Sequence, residues 1–175
     1  MPKIIENVRE NLIEEARRQI RVSGYAGMTI RSVAKACLLG VGTVYNYFRS
    51  KEELVHAAMH KDWKLSVERI RICSESTDDP ETLLRCMYDE LSLFIKEHGY
   101  LISDTNATKV FAQVYATGHS YLREQLAEFL KTTCDNYAQE PSELLPEFLA
   151  EAILTWTSVG KPFEEIYALQ KIHFK

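Results

Sequence analysis

Apolar residues near the start of the chain recur at intervals of three or four positions. The first such run extends from about Ile4 to Ser23, and its apolar members are Ile5, Val8, Leu12, Ala16 and Ile20. This spacing places their side chains on one face of an α-helix. Gly24 comes next, and glycine is the residue that most often ends a helix. The pattern therefore predicts a first helix over 4–23.

A short helix, a tight turn, a second short helix and a long helix are predicted after it. Thr29 is a suitable N-cap for the second helix. Leu38-Leu39-Gly40 predicts the turn. Ser50 followed by Glu53 has the S-x-x-E form of a capping box, which begins the fourth helix. The predicted bounds of these three helices are about Ile30–Cys37, Val41–Tyr47 and 51–74.

An acidic, polar stretch over Ser74–Pro80 separates this part from five more predicted helices, with prolines and a glycine as the later breaks. Their bounds are about Glu81–His98, Leu101–Gln113, Tyr115–Ala138, Ser142–Val159 and Pro162–Phe174. The predicted fold class is all-α. A three-helix domain with a helix-turn-helix occupies 1–50, and helix 4 joins it to a helical domain over 51–175.

Composition and charge narrow the class of protein. Apolar residues make up 46% of the 175 and charged residues 26%, which is typical of a globular chain. No run of about 18 apolar residues is present for a membrane span, and the N-terminus has no signal-peptide core, so we expect a cytoplasmic protein without membrane contact. Residues 1–64 carry a net charge of +4 and residues 65–175 a net charge of −8. A basic N-terminal part favours a polyanionic partner. The alternative is that the difference in charge is ordinary variation of the protein surface.

The four cysteines, Cys37, Cys73, Cys86 and Cys134, are far apart in sequence and form no C-x-x-C pair. That spacing argues against a disulfide framework or a zinc site. We expect reduced, mostly buried thiols. A redox-sensing cysteine is the alternative.

The residues of the N-terminal part form a recognisable pattern. Its segments are Ala16, Gly24-Tyr25, Met28-Thr29-Ile30-Arg31, Val33-Ala34-Lys35-Ala36, Gly42-Thr43-Val44-Tyr45-Asn46-Tyr47-Phe48 and Ser50-Lys51-Glu52-Glu53-Leu54. Across about residues 8–60 this pattern resembles the N-terminal domain of TetR-family regulators. The resemblance implies a helix-turn-helix that binds double-stranded DNA, followed by a helical body that dimerises and binds a small-molecule effector.

Tyr45 and Tyr47 are the main candidates for DNA contact. Side chains two positions apart do not share a helix face, so both cannot simply be buried, whereas Val44 and Phe48 suit the core. Lys51 begins helix 4, where its ammonium and the unpaired backbone N–H groups favour an anion. The resemblance implies phosphate contacts at Thr29, Tyr45, Tyr47 and Lys51. The alternatives are a half-buried core tyrosine, a surface lysine and a threonine that only caps.

Base reading rests on fewer groups. Arg31, in the first turn of helix 2, resembles the family position that reaches a guanine edge, with a solvated surface arginine as the alternative. Thr43 is a candidate for a base or a phosphate, Val41 for a thymine methyl, and Gly42 for close backbone approach.

The turn departs from the family pattern at Leu38, where a glycine is usual. Because left-handed backbone is costly for leucine, we expect Gly40 to take the unusual dihedral angles. The start and tilt of helix 3 depend on this choice.

The last two predicted helices carry more apolar residues than one inward stripe needs. We expect part of this surface to pair two copies in a homodimer, through Leu149, Ile153, Trp156, Phe163, Ile166 and Tyr167. A monomer that buries these residues internally is the alternative.

An effector pocket requires apolar side chains with a few polar tips. The candidates are Trp63, Met87, Tyr88, Leu91, Phe94, Phe111, Tyr115 and His119. An ordinary core has the same composition and is the alternative for each of them.

An enzyme is not expected. No Gly-rich phosphate loop, H-E-x-x-H or G-x-S-x-G motif is present. His56 and His60 have metal-ligand spacing without an adjacent acid, so solvent-facing or packing histidines are favoured over a metal site. We therefore expect no catalytic residue, metal or cofactor. The predicted function is a sequence-specific transcriptional regulator, in the repressor mode, that a small-molecule effector releases from its operator. A helical protein-interaction module without DNA binding is the alternative.

Overall fold

The computed structural model describes residues 7–98 and 105–175, with side chains throughout except over 105–118. Within these residues it consists of α-helices, one 3₁₀ turn over Lys171–His173 and no strand, which confirms the all-α prediction. The helices are α1 Val8–Gly27, α2 Ile30–Ala36, α3 Val41–Tyr45, α4 Lys51–Ser76, α5 Pro80–His98, α6 Thr105–Tyr137, α7 Leu145–Ser158 and α8 Phe163–Gln170.

Most predicted boundaries fall within a few residues of the observed ones, with one larger difference. The chain from Thr105 to Tyr137 is a single helix, where the sequence predicted two with a break near Val114. No proline or glycine stands at that position, so nothing in the backbone interrupts the helix there. In α1 the predicted end is visible as a kink, since Gly24 has φ 70° and ψ 177° within the helical run.

The described side chains form two hydrophobic cores. The first, which we call the head core, is formed by α1, α2, α3 and the first turns of α4, with Leu12, Val33, Val44, Phe48 and Leu54 among its fully buried members. The second, the body core, is formed by the rest of α4 and by α5 to α8. The division into domains at residue 50 remains a prediction, because α4 contributes to both cores.

Helix α4 is the element shared by the two cores. Leu54 and Ala58, in its first turns, lie in the head core, while Trp63 at its middle and Ile70 further on lie in the body core. A continuous helix rises 1.5 Å per residue, so α4 is a stiff connection between the parts. No helix in the described ranges is both long enough and apolar enough to cross a membrane.

Candidate nucleic-acid interface

The turn between α2 and α3 is built around Leu38. Its φ is 57°, and its backbone N–H donates to the carbonyl of Lys35 at 3.2 Å, while that of Leu39 donates to Ala34 at 2.9 Å. This pair of hydrogen bonds is a Schellman motif with a left-handed residue at its centre. The expectation that Gly40 takes the unusual dihedrals is therefore wrong, since Gly40 has φ −70° and ψ 145°.

The reason is the geometry of the helix end. The residue after the C-cap must be left-handed for the last carbonyls of α2 to be satisfied, and Leu38 occupies that place. Leu38 is 89% exposed, so no neighbouring side chain opposes its left-handed backbone conformation. Gly40 instead precedes α3 as its N-cap, and its carbonyl accepts from Thr43 at 3.0 Å.

Helix α3 and the turn that follows it present two tyrosines on the surface and bury the residues beside them. Val44 and Phe48 lie in the head core at 0% and 1% exposure, whereas Tyr45 and Tyr47 are 51% and 42% exposed. The guanidinium of Arg9 lies over the Phe48 ring at 5.2 Å. The buried Val44 and Phe48 thus fix this segment on the head core, while both tyrosines stay exposed.

Thr29 caps α2. Its hydroxyl accepts from the backbone N–H of Ser32 at 3.0 Å, and the Ser32 hydroxyl accepts from the backbone N–H of Thr29 at 3.0 Å. Residue Thr29 remains exposed. The capping role that the sequence offered is therefore present, and a ligand contact at Thr29 stays a prediction.

Lys51 lies at the first turn of α4 and is held by Tyr25. Its ammonium donates to the Tyr25 carbonyl at 2.5 Å and lies 3.8 Å from the centre of the Tyr25 ring. The Tyr25 hydroxyl in turn donates to Glu52 at 3.0 Å. Lys51 is consequently half-buried and positioned, not a freely moving surface charge.

The carboxylate of Glu52 belongs to the same cluster. Burial raises its pKa, but hydrogen bonds from its backbone N–H, the Ser50 hydroxyl and the Tyr25 hydroxyl, together with the Lys51 charge, leave the pKa below its ordinary value. The start of α4 is further fixed by Ser50, whose hydroxyl accepts from the backbone N–H of Glu53 at 3.2 Å. Glu53 itself accepts from the backbone N–H of Arg49 at 2.7 Å.

The remaining predicted DNA contacts lie on α2 and α3. Arg31 is exposed in the first turn of α2. On α3, Val41 and Thr43 are half-buried, and the open backbone at Gly42 has no atom within 4 Å of where a Cβ would stand. Arg49 is an exposed cation that was not among the predicted DNA contacts. Its position between Tyr47 and Lys51 in the sequence was the available signal.

The predicted effector residues do not share one environment. Met87 and Leu91 are fully buried in the body core, where they pack against its other members, and their role in an effector pocket stays a prediction. Tyr88 is half-buried and donates its hydroxyl to the carbonyl of Lys161 at 3.2 Å. The side chains of Phe111 and Tyr115 lie outside those described.

Trp63, Phe94 and His119 are placed differently. The indole N–H of Trp63 is buried and donates to Gln125 at 2.6 Å, and its ring packs edge-on against Phe94 at 5.4 Å. Phe94 also borders a cleft of about 160 Å³ that three arginines line, namely Arg17, Arg21 and Arg69. His119 is partly exposed, with its Nδ1 3.8 Å from Glu151.

The predicted dimer residues are mostly inside the chain itself. Leu149, Ile153, Phe163 and Ile166 have exposures of 2% or less within one protomer, so the prediction is wrong for these four. Their apolar surface is already covered by the body core. Trp156 and Tyr167 are half-buried against the same core. The exposed apolar side chains of this region are others, namely Leu144, Phe148, Val159, Leu169 and Ile172.

One cluster in the described residues has donor atoms close enough to hold a metal ion, those of Asp62, Glu97 and His98. Asp62 already accepts from the guanidinium of Arg17 at 2.8 Å, and Arg21 lies 3.5 Å from the same oxygen. Two guanidinium groups thus supply positive charge at Asp62. We read this cluster as an ion-pair network between helices.

Comparison with known proteins agrees with this arrangement. Residues 12–58 match the model of the family described as bacterial regulatory proteins, tetR family. The HTH-type transcriptional regulator BetI of Stenotrophomonas maltophilia (strain R551-3) is 37% identical over 94 residues, which are 51% of this chain and 47% of that protein. The chain thus spans about half the length of this curated relative.

Solved structures extend the similarity to the whole fold. A transcriptional regulator from Cytophaga hutchinsonii ATCC 33406 has a TM-score of 0.70 at 20% identity, covering 94% of this chain and 91% of that one. A TetR-family regulator from Pectobacterium atrosepticum has a TM-score of 0.68 at 18% identity, covering 93% and 87%. Residues 12–58 are therefore similar to the tetR family of bacterial regulatory proteins, and the fold of the chain is similar to that of TetR-family regulators.

Proposed function

We propose that the protein is a sequence-specific DNA-binding transcriptional regulator, and that it acts as a repressor which a small-molecule effector releases from its operator. The observation that carries the proposal is the exposure of Tyr45, the last residue of α3, and of Tyr47, in the turn after it, beside the buried Val44 and Phe48. A segment fixed by buried residues, with two exposed tyrosines, is suited to phosphate contacts that fix its position on a duplex.

The neighbouring cations support the same face. Lys51 adds a positioned ammonium at the N-terminus of α4, where the helix dipole also favours a phosphate. Arg31 and Arg49 add exposed charge on either side of α3 in the sequence. In this arrangement the DNA phosphates are contacted by Thr29, Tyr45, Tyr47 and Lys51. The bases are contacted by Arg31 and Thr43 at their edges and by Val41 at a thymine methyl group.

A homodimer completes the proposal. Two copies of α3 enter successive major grooves when the two heads are about 34 Å apart, one turn of DNA. We propose that the pairing surface includes the exposed apolar residues of α7 and the C-terminal turn, such as Phe148, whose ring packs against His173 at 5.5 Å. A regulator of this kind acts where the chromosome is, which for this proposal is the cytoplasm.

Release by an effector would use α4. Because this helix contributes to both cores, a ligand that binds the body changes the position of the head if it favours one tilt of α4. The loss of DNA affinity then equals the difference in the ligand's affinity for the two forms. Trp63, at the middle of α4, and Phe94 of α5, whose ring packs against it, remain the residues proposed nearest the effector, with His119 on α6.

Binding to a random-sequence duplex at increasing salt tests DNA binding directly. We expect affinity to fall steeply, with a log–log slope that counts the phosphates contacted. A variant carrying Tyr45→Phe and Tyr47→Phe should bind more weakly, whereas Tyr121→Phe, an exposed tyrosine on α6, should match the wild type. Binding that is absent, or insensitive to both salt and the double substitution, would refute this face.

A further inference from the structure

Two of the four cysteines meet across neighbouring helices. Cys73 lies in the last turn of α4 and Cys86 in the second turn of α5, and residues 77–79 join the two helices. Both side chains are half-buried, and they line one surface cleft together with Asp79 and Thr82. The distance in sequence that argued against a disulfide does not separate these thiols in space.

The other two cysteines have different surroundings. The Cys37 sulfur faces the carbonyl oxygen of Asn11 at 3.7 Å in the head, and Cys134 is buried in the body core. Burial raises the pKa of both thiols, to about 11 for Cys134. Neither is grouped with another cysteine in the parts of the chain whose side chains are described.

We propose that Cys73 and Cys86 form an oxidisable dithiol, a modification site at which a peroxide makes an intramolecular disulfide that ties α4 to α5. The Cys73 sulfur, as thiolate, attacks one peroxide oxygen, the O–O bond breaks, and the departing oxygen leaves as water after protonation. The Cys86 sulfur then attacks the resulting sulfenic acid and displaces its hydroxyl as a second water. Two thiols and one peroxide give one disulfide and two waters.

The surroundings of Cys86 assign it the second step. Burial, the contact with Cys73 and the nearby carboxylates of Glu90 and Asp89 raise the pKa of the Cys86 thiol to about 12. A thiol that keeps its proton is the poorer nucleophile toward peroxide, so Cys73 reacts first. In the second step the Cys86 thiol loses its proton as its sulfur attacks the sulfenic acid in the shared cleft, and that proton leaves with the hydroxyl as water.

The sequence around the pair makes the test direct. Trypsin cleaves after Arg71 and Arg85, so Cys73 and Cys86 fall into separate peptides, 72–85 and 86–96. The full chain is treated with hydrogen peroxide, its remaining thiols are blocked with N-ethylmaleimide, and the digest is analysed by mass spectrometry without reductant. We expect the two peptides as one linked species that dithiothreitol separates, from protein that runs as a single chain on a non-reducing gel.

Variants give the controls. The linked species should persist when Cys37→Ser and Cys134→Ser are combined, and it should disappear with Cys86→Ser. On the reduced protein, dibromobimane, which becomes fluorescent when both of its arms have reacted, should label the wild type and not Cys73→Ser. Separate oxidation of the two peptides to sulfinic or sulfonic acid, a disulfide to another chain, or dibromobimane fluorescence that Cys73→Ser leaves unchanged would overturn the proposal.

Discussion

Arg17 of α1 and Asp62 of α4 are joined by a hydrogen bond of 2.8 Å from the guanidinium Nε to the carboxylate Oδ1. Both side chains are about 10% exposed. The other carboxylate oxygen lies 3.2 Å from Nε2 of His98, the last residue of α5. Asp62 therefore connects a helix of the head core to a helix of the body core, at the middle of the helix that serves both.

We expect Asp62→Ala to destabilise the protein by about 2–4 kcal/mol, because it leaves the largely buried Arg17 without its principal partner. Urea denaturation followed by circular dichroism measures this. Glu68→Ala is the matched control, since Glu68 is an acid on the same helix in an exposed ion pair with Arg71, and its midpoint should stay at the wild-type value. Equal effects of the two substitutions would contradict the role given to Asp62.

The same carboxylate should make part of the stability depend on pH. Burial raises the pKa of Asp62, but hydrogen bonds from His98 and Arg17 and the charge of Arg17 leave it below its ordinary value. A carboxyl with a lowered folded-state pKa contributes stability above its unfolded pKa of about 4, and this is lost as the pH falls through the folded value.

Urea midpoints of the wild type and Asp62→Asn between pH 6 and pH 3 isolate this contribution from that of other carboxylates. The difference in unfolding free energy should be largest near pH 6 and should shrink below about pH 4. A difference in unfolding free energy that stays constant over this range would show that Arg17 and His98 do not stabilise the charged form of the Asp62 carboxylate.

Leu38→Gly should stabilise the protein by about 1 kcal/mol, because glycine tolerates the left-handed conformation that leucine adopts at a cost. The exposed Leu38 side chain has little packing to lose. Gly24→Ala provides the opposite case, since Gly24 has φ 70° and alanine there should lower the melting temperature. Thermal unfolding of both variants checks the prediction, and a lower melting temperature for Leu38→Gly would contradict it.

Helix positions were predictable from sequence because apolar spacing, caps and breakers are local signals. Thr29 and Ser50 mark the starts of α2 and α4 in the sequence and in the structure alike. The Leu38 turn was mispredicted because residue preference pointed to Gly40, whereas hydrogen bonding at the end of α2 selects the residue by its position. At this turn the conformational preference of glycine favours Gly40, whereas the hydrogen bonds at the end of α2 require Leu38 to be left-handed.

The body was harder to predict for a physical reason. Apolar residues such as Leu149 and Ile166 are needed equally by an internal core and by an interface, and the sequence does not say which helix covers them. The meeting of Cys73 with Cys86 likewise depends on how α4 packs against α5. At the end of α3, by contrast, the two-residue spacing of Tyr45 and Tyr47 was enough to predict that both cannot be buried.

Lys51 and Arg31 should affect DNA binding in different ways. Lys51→Ala removes a phosphate contact, so affinity should fall for all sequences and the salt slope should decrease by about one. Arg31→Ala should instead relax the preference at one base pair, which corresponds to a loss of about 1–3 kcal/mol of discrimination. Selection from random duplexes gives the operator, and titrations on that operator and its point variants measure both effects.

The control for this pair is Lys64→Ala, which removes an exposed cation from the same helix as Lys51 and should leave the salt slope unchanged. Because Lys51 also contacts Tyr25, the melting temperature of Lys51→Ala is measured in parallel, so that a loss of folding is not mistaken for a loss of contact. Equal changes for Lys51→Ala and Lys64→Ala would mean that only general charge matters.

Phe148→Glu tests the proposed pairing surface. Phe148 is 55% exposed on α7. In a two-fold dimer both subunits carry the substitution, so the interface contains it twice. A buried charge at such a position should raise the dissociation constant of the dimer at least about tenfold, or 1.4 kcal/mol. Analytical ultracentrifugation over a concentration series measures this. Val22→Glu, at a 77% exposed apolar position on α1, is the control and should sediment as the wild type. An unchanged dimer in Phe148→Glu would exclude this face of α7 from the interface.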